Sequence, residues 1–281
     1  MREFIPQFVK PHSFHWTKPQ GWASRAGILA YMPHETPSHL DRQQDYFEGK
    51  PSIFERLIKN PGFPRTMRKK IQFVGEALAG CERILEVGTG HGLELDLLLS
   101  TTGPGVRYVG IDLATARLRH TLPRIPSERR PSTNLLASLV EHLPFHDKSF
   151  DGVFCVDVLH HAQSQEKMLT ELRRVLKPGG KLLCVEPNRL FPVNVIYLRN
   201  PVENGLFKFT HAAAHRWTSA AGLSNVEIIS LPVFFPSFPP AFAGAYAGME
   251  RLLGSIPGIR NASTTRVLMA RRPADTTAAT P

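Results

Sequence analysis

Cysteine is scarce in this sequence, and its spacing excludes two kinds of site. The 281-residue chain has three cysteines, Cys81, Cys155 and Cys184. An odd number of cysteines, with neither a CxxC pair nor histidines at metal-ligand spacing, argues against a disulfide framework and against a zinc site. Because Cys155 and Cys184 lie in strongly apolar runs, we expect them to be buried, reduced and structural. These features predict a cytoplasmic protein without a bound metal.

A long hydrophobic run without proline is also missing. The first residues lack the apolar stretch of a signal peptide. The most hydrophobic segment, residues 231–248, contains Pro232, Pro236, Pro239 and Pro240, which would interrupt a spanning helix repeatedly. We therefore predict no transmembrane helix. We expect the aromatic residues of this segment to pack over the fold, and a greasy substrate wall or a peripheral membrane contact is the alternative.

Acidic residues are in deficit at both ends of the chain but not in its middle. Residues 1–80 have 12 basic and 7 acidic residues, residues 81–188 have 13 of each, and residues 189–281 have 9 basic and 4 acidic residues. If the neutral middle holds a cofactor, the basic flanks shape the substrate side and favour an anionic substrate, a phospholipid surface or a nucleic acid. A basic surface without a specific partner is the alternative.

Apolar segments rich in β-branched residues alternate with amphipathic segments from residue 65 onward. The predicted strands are residues 83–87, 106–111, 134–140, 150–156, 181–185, 226–231 and 266–270. The predicted helices are residues 65–79, 93–100, 113–122, 163–176 and 211–221, with a turn or two of helix at 249–253. This alternation predicts an α/β fold with a mostly parallel sheet covered by helices on both faces. We expect Gly179 and Gly180 to form a tight turn that ends one helix before the strand at 181–185.

The domain organisation follows from where this alternation begins and ends. We predict an irregular N-terminal arm or lid over residues 1–64 and one domain over residues 65–272. Within that domain, residues 80–187 form the cofactor half and residues 188–272 the substrate-side half. The Thr/Ala/Pro-rich residues 273–281 are expected to be a disordered tail.

A glycine-rich turn follows the first predicted strand of the alternation. Gly88, Gly90 and Gly92 are spaced G-x-G-x-G, whereas the dinucleotide-binding fingerprint is G-x-G-x-x-G. Asp112 ends the next strand, 20 residues after Gly92. A carboxylate at this place can accept hydrogen bonds from both hydroxyls of a ribose. The alternative is that Asp112 caps the following helix, and both roles can coexist.

Six short motifs in this order resemble the class I S-adenosylmethionine-dependent methyltransferases, in particular the large subgroup called type 11. The motifs are EVGTGHG at residues 86–92, GID at 110–112, LPF at 143–145, SFD at 149–151, LHH at 159–161 and RVLKPGG at 174–180. Each motif is common alone, but the six at these spacings are specific, and they cover roughly residues 80–187. The resemblance implies a doubly wound, Rossmann-like methyltransferase sheet with an antiparallel last strand.

The resemblance also implies S-adenosyl-L-methionine as the cofactor and a set of residues that bind it. These residues are Glu86, Gly88, Thr89, Gly90, Gly92, Asp112, Leu113, Val140, Glu141 and Cys155. By this resemblance the glycines cradle the methionine part, Glu86 holds its amino end and Asp112 binds the ribose. Leu113, Val140 and Glu141 contact the adenine, and Cys155 lies where strand 150–156 ends beneath the sulfonium.

Methyl transfer to oxygen usually needs a general base, and the sequence offers three candidates, His160, His161 and Glu186. The alternative is that the two histidines line the cofactor pocket. Because both flanks are basic and the C-terminal one is rich in aromatic residues and proline, we expect a small-molecule or lipid-like acceptor.

Three other functions compete with this one. An RNA methyltransferase is the nearest, but the sequence has no recognisable RNA-binding module and no dense basic stripe with interleaved aromatics. A nicotinamide-dependent oxidoreductase is opposed by the glycine spacing. A non-catalytic protein with the cofactor fold is opposed by the intact glycine turn and Asp112.

Overall fold

The computed structural model describes residues 28–31, 63–93, 95–191, 204–232, 243–261 and 263–275. These residues form an 8-stranded sheet whose strand order is β1-β4-β3-β2-β5-β6-β8-β7. The strands are β1 (Ile28–Tyr31), β2 (Arg83–Val87), β3 (Arg107–Asp112), β4 (Thr133–Ser138), β5 (Phe150–Val156), β6 (Leu176–Pro187), β7 (Ser224–Leu231) and β8 (Thr265–Arg271). Neighbouring strands are parallel except that β8 runs antiparallel to both β6 and β7. The predicted fold class is confirmed.

Helices cover both faces of this sheet. Their bounds are α1 (Phe63–Ala77), α2 (Leu95–Thr101), α3 (Thr115–Thr121), α4 (Gln165–Val175), α5 (His211–Ala220), α6 (Ala243–Ser255) and α7 (Pro257–Arg260). One core cluster joins α4 and α5 to the sheet, and a second cluster joins α1, α2 and α3 to the opposite face. Because the chain turns from β2 toward β3 on one side and resumes with β5 on the other, the strand order reverses at β2, where open α/β sheets bind their ligands.

Two segments that we predicted to be outside the sheet belong to it. Ile28–Tyr31 lies in the predicted irregular arm but pairs in parallel with β4 as an edge strand. β6 begins at Leu176, which we predicted to end a helix, and it includes Gly179 and Gly180, where we predicted a tight turn. Gly179 does adopt a positive φ of 76°, yet hydrogen bonds between its N–H and the Arg272 carbonyl and between Arg272 N–H and the Gly180 carbonyl continue the ladder. Both segments are strands because they pair with residues that are distant in the sequence.

The helix near residue 250 is also longer than predicted. We expected a turn or two at 249–253, and α6 spans Ala243–Ser255. Glycines at 244 and 248 lower its intrinsic helix propensity. Glu250, which is 3% exposed, is held by Lys69 of α1, and this tertiary ion pair offsets the weak propensity.

Several other predictions concern segments that the structure describes only in part. Most of the predicted arm at 1–64, residues 233–242 of the proline-rich segment and residues 276–281 of the predicted tail lie outside the described residues. Cys155 and Cys184 are free and buried, as predicted, and Cys81 is also free and buried. Among the described helices, none has the length and apolar character needed to cross a membrane.

A truncation inside α4 tests the core on that face of the sheet. Leu172 is fully buried there, whereas Lys167 of the same helix is exposed. We expect Leu172→Ala to lower the free energy of unfolding in urea by about 2–5 kcal/mol, because it removes buried methyl groups and leaves a cavity. The control Lys167→Ala should change it by less than about 0.5 kcal/mol. Equal losses in the two variants would contradict this core assignment.

Candidate active site

The glycine turn after β2 is held by the end of β3. The N–H groups of Gly88 and Thr89 both donate to the Ile111 carbonyl, at 2.8 and 2.9 Å. The N–H of Gly90 donates to Oδ2 of Asp112 at 2.8 Å. The end of β3 therefore holds the turn through three backbone N–H groups.

The three glycines of the turn are required for different reasons. All three have positive φ, at 75° for Gly88, 54° for Gly90 and 64° for Gly92. A Cβ on Gly88 would lie 2.2 Å from Cγ2 of Val158, and one on Gly92 would lie 2.5 Å from Cγ2 of Thr121. A Cβ on Gly90 would meet nothing closer than 3.9 Å. Gly88 and Gly92 therefore allow close packing, and Gly90 alone borders open space.

Asp112 supports the approach to the following helix, which is close to one of the two roles considered for it from sequence. Its Oδ1 accepts the N–H of Ala114, the residue before α3, at 2.8 Å, while Oδ2 accepts the N–H of Gly90. The carboxylate thus stabilises the approach to α3 and joins it to the glycine turn. Ribose binding, the other role considered, stays a prediction.

Glu86 lies in β2 directly beneath this turn. Its Oε2 accepts hydrogen bonds from the hydroxyls of Thr89 and Tyr108, whereas Oε1 has no hydrogen-bond partner among the described residues. Burial raises the pKa of the Glu86 carboxyl, and the hydrogen bonds from Thr89 and Tyr108 oppose this shift. A cation placed at Oε1 would stabilise the charged form, so the site favours a positively charged group.

The loop after β5 is organised by a buried carboxylate. Glu186 of β6 is fully buried, and its Oε1 accepts the N–H groups of Val158 and Leu159 at 3.0 and 2.8 Å. Its Oε2 accepts the N–H of His160 at 3.3 Å and lies 2.5 Å from Nδ1 of the same residue. Burial alone would raise the pKa of Glu186, but His160 and the backbone N–H groups hold it below its ordinary value.

A second short turn lies directly on this loop. Residues Asn204–Lys208 form a 3₁₀ turn, and a Cβ on Gly205 would stand 1.7 Å from the carbonyl oxygen of His160. The His160 side chain is only 2% exposed. Glu186 and His160 are therefore paired inside the protein, which favours a positioning role for them over the role of general base predicted from sequence.

His161 remains at the edge of the sheet. It is half-buried, and its ring centroid lies 3.9 Å from that of His160. Glu186 and His160 form the buried pair. His161 is the third residue predicted to be catalytic, and it is not a member of that pair. It stays a candidate for contact with an acceptor.

The remaining predicted cofactor residues differ in where their side chains lie. Leu113 and Val140 are half-buried and lie at the edge of the sheet that contains the glycine turn. Oε1 of Glu141 accepts the N–H of Gln163 at 3.2 Å, which joins the loop after β4 to the loop before α4. Cys155 is fully buried in the core cluster under α4 and α5. Its backbone lies in the ladder between β2 and β6, so neither its side chain nor its backbone is exposed for the predicted cofactor contact.

A lysine that sequence reasoning did not single out also reaches this edge. Nζ of Lys70, in α1, lies 2.7 and 2.8 Å from the two carboxylate oxygens of Asp157, which follows β5 with a φ of 56°. Lys70 is 5% exposed. In the sequence it stands beside the apolar stripe of α1, where a lysine is ordinarily solvated. Only the fold brings α1 over the end of β5 and reveals the pair.

Clusters of His, Cys, Asp and Glu that could hold a metal ion do not occur in the described part of the chain. The arrangement is instead a glycine turn flanked by two carboxylates at the strand-order reversal. A family model described as a methyltransferase domain matches residues 85–184, the segment that contains the turn, Asp112 and the loop after β5. Residues 85–184 are therefore similar to a methyltransferase domain. Its glycine spacing and its family match both oppose the nicotinamide-dependent alternative.

The curated relatives are similar to part of this chain. The chain is 36% identical over 111 residues to a ubiquinone/menaquinone biosynthesis C-methyltransferase of Syntrophotalea carbinolica, covering 39% of this chain and 46% of the relative. It is 38% identical over 110 residues to phthiotriol/phenolphthiotriol dimycocerosates methyltransferase 1 of Mycobacterium ulcerans, covering 37% of each. The chain thus spans less than half the length of these curated relatives.

A solved structure extends the similarity of fold beyond the domain. Phosphoethanolamine N-methyltransferase 2 of Haemonchus contortus, in complex with S-adenosyl-L-methionine, superposes with a TM-score of 0.58 over 86% of this chain and 62% of that chain. Sequence identity is 16%. At this level of identity the likeness shows the fold alone.

Alanine at Gly88, with Gly80 as the matched control, tests the contact between the turn and the loop after β5. Both glycines have positive φ, but a Cβ on Gly80 meets nothing within 4 Å. Gly80→Ala should lower the free energy of unfolding by about 1–2 kcal/mol, the cost of a left-handed residue with a side chain. Gly88→Ala should cost more, because Val158 must also move. Equal losses in urea unfolding would contradict the close contact.

Neutralising Glu186 tests the buried carboxylate. Because its folded pKa is held below the ordinary value, its contribution to stability is present above about pH 4.5 and is lost as the pH falls through the lowered pKa. Glu186→Gln should lower the free energy of unfolding at pH 7 by about 3–5 kcal/mol. It should also weaken the dependence of stability on pH below pH 4.5.

The exposed carboxylate Glu82 provides the control for this experiment. Glu82→Gln should leave the pH dependence of unfolding close to that of the unchanged chain. An acid-unfolding curve that is the same for Glu186→Gln and the unchanged chain would show that Glu186 does not hold the loop.

Proposed function

We propose that this chain transfers a methyl group from S-adenosyl-L-methionine to a small-molecule or lipid-like acceptor. The observation that carries the proposal is the open space at Gly90, bordered by the Asp112 carboxylate at the point where the strand order reverses. The match of residues 85–184 to a methyltransferase domain supports it.

The residues around this space fit the proposed cofactor. The absent side chain of Gly90 leaves room for the methionine part, and the Asp112 carboxylate lies where it would accept hydrogen bonds from the ribose hydroxyls. Oε1 of Glu86 suits the amino end, because a cation there offsets the burial that raises the pKa of this carboxyl. Leu113 and Val140 offer apolar surface for the adenine.

The chain's contribution to the reaction is binding, orientation and exclusion of water. When bound, the cofactor supplies an electrophilic methyl group on a positively charged sulfur. Glu186 fixes the loop that contains His160 and His161, and the Lys70–Asp157 ion pair fixes the residue after β5. These buried contacts define where an acceptor can approach, which is how an enzyme brings two reactants into line. His161 is the candidate for accepting a proton if the acceptor atom is oxygen.

The acceptor class is inferred from similar proteins and from charge. The two curated relatives are named for quinone biosynthesis and for phthiotriol dimycocerosates, both lipid-like. Residues 189–281 have 9 basic and 4 acidic residues, which suits an acceptor with an anionic group. A peripheral membrane contact would bring such an acceptor to the site, whereas no described feature favours a nucleic acid.

The activity is tested by incubating the purified chain with cofactor that has a labelled methyl group, together with lipid and small-molecule extracts. We expect mass spectrometry to find a product heavier by one labelled methyl group. The Gly90→Asp variant is the negative control, because its carboxylate would occupy the proposed methionine site without disturbing the sheet. Equal product from both proteins would refute the site, and cofactor that neither binds nor reacts would refute the function.

Removing the Asp112 carboxylate tests ribose binding by calorimetry. Asp112→Ala should weaken cofactor binding by about 1–3 kcal/mol, or roughly 5- to 150-fold, the range for hydrogen bonds to a charged group. Glu227→Ala is the control, since Glu227 is exposed on β7 at the far edge of the sheet. An unchanged dissociation constant in folded Asp112→Ala would leave Asp112 with the structural role alone.

A further inference from the structure

A cluster of basic side chains, Arg266, Arg189 and His211, lies at the same edge of the sheet as the glycine turn. It is formed by β8, by the residues after β6 and by the start of α5, rather than by β2 and β3. Because β8 runs antiparallel, its first residues lie where β6 ends. Arg266, the second residue of β8, is opposite Glu186 of β6 and opposite Ser230 of β7. Arg266 therefore lies in the half of this edge that contains none of the predicted cofactor-binding residues.

Arg266 is buried without an acidic partner among the described residues. It is 7% exposed, its Nη1 contacts Nε2 of His211, and its Nη2 donates to the Asn261 carbonyl at 3.4 Å. Because a guanidinium only donates, His211 must accept through Nε2 and adds no negative charge. The opposite carboxylate, Glu186, is occupied by His160 and the loop N–H groups.

The surroundings of Arg266 are positively charged. Burial and the neighbouring Arg189 both lower the pKa of Arg266. Burial, then Arg266, then His215 lower the pKa of His211. Arg189 and His211 are exposed at the rim, and Nη1 of Arg189 donates to the Phe207 carbonyl in the turn that covers His160. The cluster therefore extends from a buried guanidinium to the solvent beside the proposed acceptor side.

A buried guanidinium with a second cation, Arg189, near it and no acidic partner among the described residues is unfavourable unless an anion completes it. Arginine is suited to this task because its planar fork binds two oxygens of a phosphate or carboxylate at once. We propose that Arg266, with Arg189 and His211 at its rim, binds the oxyanion of the methyl acceptor. The assignment of the oxyanion to the methyl acceptor rests on the proposed function. Oxyanion binding by the cluster does not depend on it.

The test uses the full chain, inorganic phosphate and acetate as probes, and chloride at matched ionic strength as the reference. Thermal unfolding is followed at increasing probe concentration for the unchanged chain and for Arg266→Met, Arg189→Ala and the control Arg271→Met. Arg271 is in the same strand but exposed at its other end, so the control loses the same charge. Cofactor binding is measured on each variant in parallel.

We expect phosphate, acetate or both to raise the Tm of the unchanged chain and of Arg271→Met saturably. The apparent affinity should fall about tenfold or more in Arg266→Met and several-fold in Arg189→Ala. Without either probe, Arg266→Met should unfold no earlier than the unchanged chain, because it removes an unpaired buried charge. A phosphate-only response assigns a phosphate group to the acceptor, and an acetate-only response assigns a carboxylate.

Two results would overturn the inference. One is that neither probe stabilises the unchanged chain more than chloride does, and the other is that Arg266→Met and Arg271→Met respond alike. If Arg266→Met does not fold, the Arg189→Ala titration decides, and an unchanged affinity there overturns the inference. Failure of the proposed function is seen separately, as loss of cofactor binding by the unchanged chain.

Discussion

The candidate active site depends on one interior carboxylate. Glu186 touches no solvent, yet it holds the loop after β5 through the N–H groups of Val158 and Leu159 and through His160. Val158 in turn lies against Gly88, so the position of the glycine turn is coupled to β6, two strands away. Burying this carboxylate is favourable only because several donors converge on it. These contacts link the loop after β5 to the glycine turn.

Charge divides the ligand-binding edge into two halves. Glu86 and Asp112 place negative charge beside the glycine turn, where we propose that a cationic cofactor lies. Arg266 and Arg189 place positive charge at the ends of β8 and β6, where we propose that an anionic acceptor lies. The Lys70–Asp157 ion pair stands between the two and is neutral overall. Such a division would orient two oppositely charged reactants toward each other.

Secondary structure was predictable where the signal is local. β2 and β5 have the bounds expected from sequence, because buried parallel strands appear as apolar β-branched runs between turns. The edge strand β1, the start of β6 and most of α6 were missed. Each is stabilised by a distant partner: β4 for β1, the end of β8 for β6, and Lys69 for α6. Propensity in a short window contains no information about such partners.

The sequence by itself determined the fold class, the glycine turn and the carboxylate that follows it, because these depend on the order and spacing of residue types along the chain. The tertiary structure decided what each polar residue does. Only its contacts show that Gly90 is open while Gly88 is closed, that Glu186 and His160 are paired in the interior, and that Arg266 meets no acidic side chain in the described part of the chain. These properties follow from burial and from distances between elements far apart in sequence, which residue spacing does not encode.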